Sequence, residues 1–276
     1  MFHLWVLTLA LAAPPQRIVS TAPGVTEMLF DLALGPRVAG VTTYCRYPAA
    51  ARSLPKIGTF LEPDLERIAA LRPDLVIIIK NPVRLAERLH LLKLNTLEVD
   101  PMSMKGVFES IEAIGRAAGV EEPARRRAAE LRSSLDQLRR TAGPKRSVLF
   151  LVGRTPGTLD GLVGAGRGTY LDELLTIAGG SNVLADAPLE YPKVPLETIA
   201  MRDPEVIIDM GDAAHAEGGG GESPAAVERL WATRLPQLRA VRNHHIYAVA
   251  NDMFVVPGPR MVDAARAFRR MLNGER

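Results

Sequence analysis

A short pattern that occurs twice constrains the fold of this 276-residue chain more than any other feature. The first copy is LERIA at residues 65–69 followed by PDLVI at 73–77, and the second is LETIA at 196–200 followed by PEVII at 204–208. The copies align without a gap at an offset of 131 residues (66 to 197). Each copy is typical of a short helix, a turn with proline and an acid, and a buried strand. The repeat predicts two similar lobes in one chain.

Patterns typical of strands and helices alternate along the chain, which predicts an α/β fold of two Rossmann-like lobes with mainly parallel sheets. One stretch differs, because it has strong helix formers and no internal glycine over residues 121–141. We expect it to be one long helix that joins the lobes. The predicted organisation is a signal peptide at 1–13, an N-terminal lobe at 16–119, a linker helix at 120–143 and a C-terminal lobe at 145–276.

Composition excludes several classes of protein. Hydrophobic residues make up 47% and charged residues 24% of the chain, as in soluble globular proteins. The formal net charge is only +3, and the basic stretch 125–127 is followed by Glu130 and Asp136 without interleaved aromatic residues. This pattern indicates a solvated helix face rather than a nucleic-acid footprint. The single cysteine, Cys45, allows neither an internal disulfide nor a metal site built from several thiolates.

The N-terminus predicts export. Residues 2–13 are apolar apart from His3 and Thr8 and end in small residues, as in the core and cleavage site of a signal peptide. The stretch is too short for a stable membrane anchor. It also lacks the usual basic residues, so the alternative is a buried first strand. The prediction is a periplasmic protein with no membrane insertion after cleavage.

Motifs of catalysis and cofactor binding are missing from the sequence. The glycines of residues 164–168 depart from the G-x-G-x-x-G spacing and favour a turn before a helix. There is no phosphate-binding G-x-x-x-x-G-K-[ST] motif and no G-x-S-x-G motif, and the five histidines lack the spacing of a metal set. We therefore predict neither an enzyme nor a resident metal or cofactor.

Two glutamates, Glu66 and Glu197, occupy the same place in the two copies of the repeat. Acids are favoured in the first turn of a helix by the helix dipole, which is one explanation for both. The other is that two pseudosymmetric lobes present a matched pair of carboxylates, which would suit two arginines on a symmetric partner. The residues alone leave both explanations open.

Aromatic residues are scarce, at 5% of the chain, but five of them lie at predicted strand-to-helix crossings. In open α/β sheets, ligands bind beyond the carboxyl ends of the strands. The aromatic residues therefore suggest a cleft for a large flat ligand, with packing on the lobe surface as the alternative. The five aromatic residues are Tyr44, Tyr47, Phe60, Tyr191 and Phe254.

The chain resembles the periplasmic substrate-binding proteins of ABC importers for cobalamin, haem and ferric siderophores. The resemblance covers nearly the whole mature chain and depends on the order and spacing of several segments. They are residues 17–20 with 26–27, 41–48 (VTTYCRYP), 65–76, 168–174 (GTYLDEL), 178–183 (AGGSNV) and 191–208.

This resemblance implies a monomeric, non-catalytic receptor that holds its ligand between two lobes braced by one helix. It implies that Glu66 and Glu197 dock onto arginines of the dimeric permease, which works with ATPase subunits. Cobalamin is the ligand that the segment 44–48 favours. In cobalamin binders the positions of Phe60 and Tyr191 hold aromatic residues at the corrin site.

Other residues keep alternative ligands open. An acid at the position of Asp252 faces the corrin site in cobalamin binders. However, this chain has Lys80 where the best-known member has an aromatic residue, Val255 where it has an acid, and Arg154 near the expected cleft. Lys80 and Arg154 could favour a ferric siderophore or haem propionates. A cytosolic α/β enzyme is the remaining alternative, in which the N-terminal apolar stretch is a strand.

Overall fold

The structure is a computed structural model that describes residues 13–80, 84–211 and 222–275. The predicted signal peptide lies outside these residues except for Ala13. Within the described residues, no helix has both the length and the apolar composition needed to cross a membrane. The chain divides into two compact units, one of Met1–Glu98 with Glu112–Arg125 and one of Val99–Ile111 with Arg126–Arg276.

The N-terminal unit is built on a four-stranded sheet in the order β2-β1-β3-β4. β1 pairs in parallel with both β2 and β3. β3 is buried for nearly its whole length, as its apolar sequence predicts. The elements are β1 (Ile18–Ser20), α1 (Pro23–Asp31), β2 (Val38–Val41), α2 (Leu65–Ala70), β3 (Leu75–Ile79), α3 (Leu85–Leu91) and β4 (Thr96–Val99), with short 3₁₀ helices at Gly35–Arg37 and Ala49–Ser53.

Two longer helices follow, α4 (Met104–Ala117) and α5 (Glu121–Arg140). α5 has 20 residues, as predicted for the linker, and its Leu131 and Leu135 are buried. Its basic residues pair with acids on the same helix, for example Arg125 with Glu121 at 2.6 Å. The division between the units falls inside both α4 and α5. The predicted helix is therefore present, and its role as the linker stays a prediction.

The C-terminal unit has a five-stranded sheet in the order β6-β5-β8-β9, with β7 also beside β5. All pairings are parallel except that of β5 with β6. The elements are β5 (Arg146–Gly153), β6 (Val163–Gly164), α6 (Tyr170–Ala178), β7 (Gly180–Asn182), α7 (Leu196–Arg202), β8 (Val206–Asp209), α8 (Pro224–Arg234), α9 (Arg239–Arg242), β9 (Ile246–Ala248) and α10 (Met261–Leu272), with a 3₁₀ helix at Asp252–Phe254. The α/β class with parallel sheets is confirmed.

The two copies of the repeat occupy equivalent places in their sheets. The first copy forms α2 and β3, and the second forms α7 and β8. β3 pairs in parallel with the first strand of its sheet, β1, and β8 pairs in the same way with β5. Glu66 and Glu197 consequently lie in the first turns of topologically equivalent helices.

In each copy of the repeat, the acidic residue after the proline, Asp74 or Glu205, holds the first strand of its sheet in place. The Asp74 carboxylate accepts hydrogen bonds from the backbone N–H groups of Gln16 and Arg17, at 2.7 and 2.9 Å. The Glu205 carboxylate accepts the backbone N–H of Ser147 at 2.8 Å and its hydroxyl at 3.2 Å. These bonds satisfy backbone donors at the start of β1 and β5. They give a structural reason for an acid at this point of both copies.

Glu205→Gln is expected to destabilise the protein by about 1 kcal/mol at neutral pH. The backbone N–H of Ser147 is the main cause that lowers the pKa of Glu205, and the Ser147 hydroxyl, Arg239 and Arg146 act in the same direction. A lowered pKa means that this stabilisation is present above the unfolded-state pKa and is lost as pH falls through the folded-state pKa.

Urea unfolding at neutral pH and at a pH below the folded-state pKa of Glu205 measures this effect. The difference between the wild type and Glu205→Gln should shrink at the lower pH. Glu98→Gln, which changes an exposed acid in β4, is the control and should leave stability unchanged. If Glu205→Gln lowers the free energy of unfolding equally at both pH values, the charge of the Glu205 carboxylate does not contribute to stability.

Candidate functional site

The N-terminal unit exposes aromatic side chains beyond the carboxyl ends of its strands. Tyr44 and Tyr47 follow β2 and are 43% and 48% exposed. Phe60 is half-buried, and Lys80 follows β3 with its side chain exposed. The backbone N–H of Thr43 donates to the carbonyl of Gly58 at 3.0 Å, so the loops that carry Tyr44 and Phe60 are joined. We name Tyr44, Tyr47, Phe60 and Lys80 the N-terminal surface.

A buried polar cluster holds the loop of Tyr44 and Tyr47 in place. The Cys45 side chain is buried and lies 3.1 Å from the hydroxyls of both Thr26 and Thr42. Thr26 also donates to the Ser20 hydroxyl at 2.8 Å, which ties the loop to β1 and α1. Burial raises the pKa of the Cys45 thiol, so it stays protonated at neutral pH. Cys45 is an anchor that leaves the neighbouring tyrosines facing outward.

A tight turn presents Phe60. The Thr59 N–H donates to the Glu62 carbonyl, and the Glu62 N–H donates back to the Thr59 hydroxyl at 2.9 Å. Gly58 precedes the turn with φ of 87°, and a Cβ at this position would lie 2.3 Å from the Glu62 carbonyl oxygen. Only glycine fits there without a shift of the backbone.

The C-terminal unit has a cavity of about 250 Å³ at the carboxyl end of β5. We name it the C-terminal cavity. Its lining side chains are apolar apart from the phenols of Tyr170 and Tyr191, and the Tyr170 hydroxyl is itself buried. Tyr191, a predicted site residue, is 44% exposed. The lining residues are Met102, Val152, Tyr170, Leu171, Tyr191, Val255 and Pro257.

The glycine-rich stretch supports the loop that carries Tyr191. The backbone N–H of Gly166 donates to the Glu190 carbonyl at 2.7 Å, and that of Gly164 donates to the Pro192 carbonyl at 3.0 Å. A Cβ on Gly166 would lie 2.6 Å from the Leu189 carbonyl oxygen. The glycines therefore permit close packing of two backbone segments, which agrees with the turn interpretation. Burial, followed by the negative charge of Glu190, raises the pKa of Tyr191.

Asp252 lies close in sequence to the C-terminal cavity, three residues before Val255. Its side chain is 36% exposed and accepts a hydrogen bond from Arg260 at 2.9 Å. One carboxylate oxygen is therefore oriented by Arg260, and the group remains accessible for a donor on a ligand.

Phe254 is placed in the core, where its ring cannot line a ligand surface. It is 2% exposed, its centroid lies 5.0 Å from that of Phe268, and Phe268 makes an edge contact with Phe150. The sequence pattern identified the edge of the sheet at which Phe254 lies but not the direction of its side chain. We leave Phe254 out of the candidate site.

Arg154 is committed to an internal ion pair. Its side chain is 0% exposed, and its Nε donates to the Asp209 carboxylate at 3.0 Å. Its other nitrogens donate to the Thr158 carbonyl and pair with Glu222. Burial opposes the charge of Arg154, but Asp209 and Glu222 together keep its pKa above the ordinary value. Its charge is neutralised within the unit, so it is not available to an anionic ligand.

Sequence reasoning missed most of the cavity lining and the partner of Arg154. Tyr170 at the start of α6 and Val152 near the end of β5 carried a usable signal, because both lie where a strand gives way to a loop or helix. Asp209 carried another, since it ends an otherwise apolar strand. Met102 gave no signal in the sequence, because it lies before α4 and is distant in sequence from the other lining residues.

Glu66 and Glu197 are both exposed on the first turn of their helices. Within residues 13–80, 84–211 and 222–275, neither carboxylate has a hydrogen bond or an ion pair. The same part of the chain contains no group of three or more His, Cys, Asp or Glu side chains that could hold a metal ion.

Comparisons with known proteins place the chain in a family. A family model described as periplasmic binding protein matches residues 18–253. A vitamin B12-binding protein of Photorhabdus laumondii is 30% identical over 269 residues, which cover 96% of this chain and 90% of the relative.

Two solved structures have a similar fold. The periplasmic vitamin B12 binding protein BtuF of Vibrio cholerae has a TM-score of 0.77 at 25% identity, covering 94% of this chain and 97% of that one. The periplasmic heme-binding protein RhuT of Roseiflexus has a TM-score of 0.75 at 27% identity, covering 93% and 98%. The resemblance found in the sequence is confirmed, and the protein is a binding protein rather than an enzyme. The chain belongs to the periplasmic binding protein family.

Proposed function

We propose that this protein captures cobalamin in the periplasm and delivers it to the permease of an ABC importer. The observation that carries the proposal is the similarity of nearly the whole chain to vitamin B12-binding proteins. Exposed aromatic residues beyond the carboxyl ends of strands in both units agree with it. The N-terminal surface and the C-terminal cavity each contribute to ligand binding.

The chemistry of these two surfaces suits a corrinoid. A corrin ring is large and nearly flat, and aromatic side chains such as Tyr44, Tyr47 and Tyr191 offer it apolar contact at a small entropic cost. The ring edge carries amide groups, and the accessible Asp252 carboxylate can accept hydrogen bonds from them. The apolar lining of the C-terminal cavity requires no charge on the ligand.

Haem is the second candidate, supported by the similarity to a heme-binding protein. Tyrosinate is one of the protein ligands of haem iron, and Tyr191 is the exposed tyrosine of the C-terminal cavity. Haem propionates and anionic ferric chelates need cations, and the burial of Arg154 leaves Lys80 as the exposed cation among the predicted residues. This shortage of exposed cations favours an uncharged corrinoid over an anionic chelate.

Titration of the purified protein with cyanocobalamin, haemin and a ferric hydroxamate tests the proposal. Calorimetry and absorbance should detect tight binding of cyanocobalamin. Tyr44→Ala and Tyr191→Ala should each weaken that binding about tenfold, because each removes an aromatic contact. Leu91→Ala, which removes an 82% exposed leucine from α3, is the matched control and should have no effect. Binding of haemin alone would identify a haem receptor, and binding of none of the three would refute both candidates.

The cellular setting is part of the same proposal. Cleavage of the signal peptide would release a monomer that is not inserted in the membrane. Glu66 and Glu197 would then dock onto arginines of the permease dimer, which the ATPase subunits drive. The lack of any partner for either carboxylate within the described residues supports this role, since a docking carboxylate must be available to an external arginine.

A further inference from the structure

The two repeat helices share their inward-facing residues. Leu65, Ile68 and Ala69 of α2 correspond to Leu196, Ile199 and Ala200 of α7. Ile68 is 0% exposed and Ile199 is 1% exposed, so both anchor their helix to its sheet. Packing against the sheet thus accounts for the repeated inward residues, and the outward residues are free to differ.

The outward face of α2 is charged around Glu66. The N-cap residue Asp64 accepts the backbone N–H of Arg67 and also pairs with its guanidinium at 2.9 Å. Glu62 is exposed just before this helix. At the position one turn after Glu66, the residue is Ala70, which is too small to reach a partner. The α2 helix therefore has charged side chains around Glu66 and no apolar side chain one turn after it that could reach a partner.

The outward face of α7 is different. Its N-cap is Pro195, which provides no side-chain cap, and Thr198 stands in place of Arg67. One turn after Glu197, the residue is Met201, which is 77% exposed. Residues four apart lie on the same face of a helix, so Met201 adjoins the Glu197 carboxylate.

We infer that Met201 is an apolar contact for the arginine that pairs with Glu197, which makes the two docking helices unequal. An arginine combines a charged head with an apolar stem, and a flexible thioether can pack along such a stem while the head binds the carboxylate. α2 has only Ala70 at the equivalent position, so its docking depends more on charge. This inference rests on the proposed docking of Glu66 and Glu197.

The difference between α2 and α7 predicts that binding to the permease through each helix responds differently to salt. Salt screens exposed charge pairs and leaves apolar contacts intact. Glu66→Gln removes the contact that depends more on charge, so the binding that remains, through the Glu197 ion pair and Met201 of α7, should vary less with salt. Glu197→Gln leaves binding through α2, which should fall steeply as salt rises.

Binding to the permease–ATPase complex of the importer, held in lipid nanodiscs, tests the inference. The affinity should be measured at about 50 and about 500 mM NaCl by biolayer interferometry. Met201→Ala should weaken binding about fivefold at both salt concentrations, whereas Met201→Leu should retain it. Ala70→Met, which adds a thioether beside Glu66, should strengthen binding. Leu91→Ala is the control for the loss of an exposed apolar side chain and should have no effect.

The possible failures are distinguishable. If Glu197→Gln weakens binding and Met201→Ala does not, the inference is wrong and the proposed docking stands. If neither Glu66→Gln nor Glu197→Gln weakens binding, the docking proposal itself is wrong. A concentration-dependent dimer that Met201→Ala abolishes would assign Met201 to a contact between two copies and overturn the inference. Unchanged cyanocobalamin affinity and circular dichroism in every variant confirm that the effects concern docking.

Discussion

Simultaneous replacement of Glu66 and Glu197 by arginine is expected to abolish ligand delivery while leaving ligand binding intact. In the proposed docking, each replacement would exchange an attractive contact with a permease arginine for a repulsive one, and like charges at an interface are strongly unfavourable. We expect the affinity for the permease to fall by about a hundredfold or more. Both side chains are exposed on the first turns of α2 and α7, so the fold should tolerate the change.

The measurements are uptake of labelled cyanocobalamin into proteoliposomes and calorimetric affinity for the free ligand. Glu98→Arg combined with Glu275→Arg is the matched control, because it reverses two exposed acids, one in each unit, and changes the net charge equally. With the Glu98/Glu275 control variant, uptake of cyanocobalamin should be normal. Equal loss of uptake in the two double variants would mean that net charge matters rather than position. Loss of ligand affinity in the Glu66/Glu197 variant would instead place the two acids in ligand binding or stability.

Much of the fold follows from local patterns in the sequence. The continuous apolar run of β3 and the long helix-forming stretch of α5 both appear near their predicted limits, because strand burial and helix propensity are properties of short segments. The repeat indicated equivalent sheets because the same turn fixes the first strand of each, through Asp74 and Glu205. β7 was not predicted, since three residues of Gly-Ser-Asn composition carry no strand pattern.

The candidate site was less predictable because side-chain direction depends on tertiary packing. The position of Phe254 after a strand indicated the correct end of the sheet, but contact with Phe268 turns its ring into the core. The sequence suggests Arg154 as a cation for an anionic ligand, because its partner Asp209 is 55 residues away in sequence and gives no local signal. Tyr44 and Tyr47 are exposed as expected, since the intervening Cys45 provides the buried anchor of their loop.

Asp209→Ala is expected to destabilise the protein by about 3–5 kcal/mol, because it removes one partner of a buried ion pair. The Asp209 carboxylate accepts hydrogen bonds from Arg154, from the indole of Trp231 at 2.9 Å and from the backbone N–H of Gly211 at 2.7 Å. Both charged side chains are 0% exposed. Without Asp209, the Arg154 guanidinium would remain buried with Glu222 as its one acidic partner among the described residues.

Urea unfolding followed by tryptophan fluorescence measures this loss directly, since Trp231 is the one tryptophan outside the predicted signal peptide. In the protein without that peptide, the folded-state emission of Asp209→Ala should also shift, because the indole loses its acceptor. Asp263→Ala is the control, as it breaks an exposed pair with Arg266 and should cost less than about 1 kcal/mol. Replacing Arg154 and Asp209 together by methionine and leucine should recover part of the loss, since no unpaired guanidinium is then left in the core. The Glu222 carboxylate loses its ion pair in this variant, but it is 25% exposed and still accepts the backbone N–H of Gly157. A stability for Asp209→Ala equal to that of Asp263→Ala would show that the buried pair stabilises the protein no more than an exposed pair does.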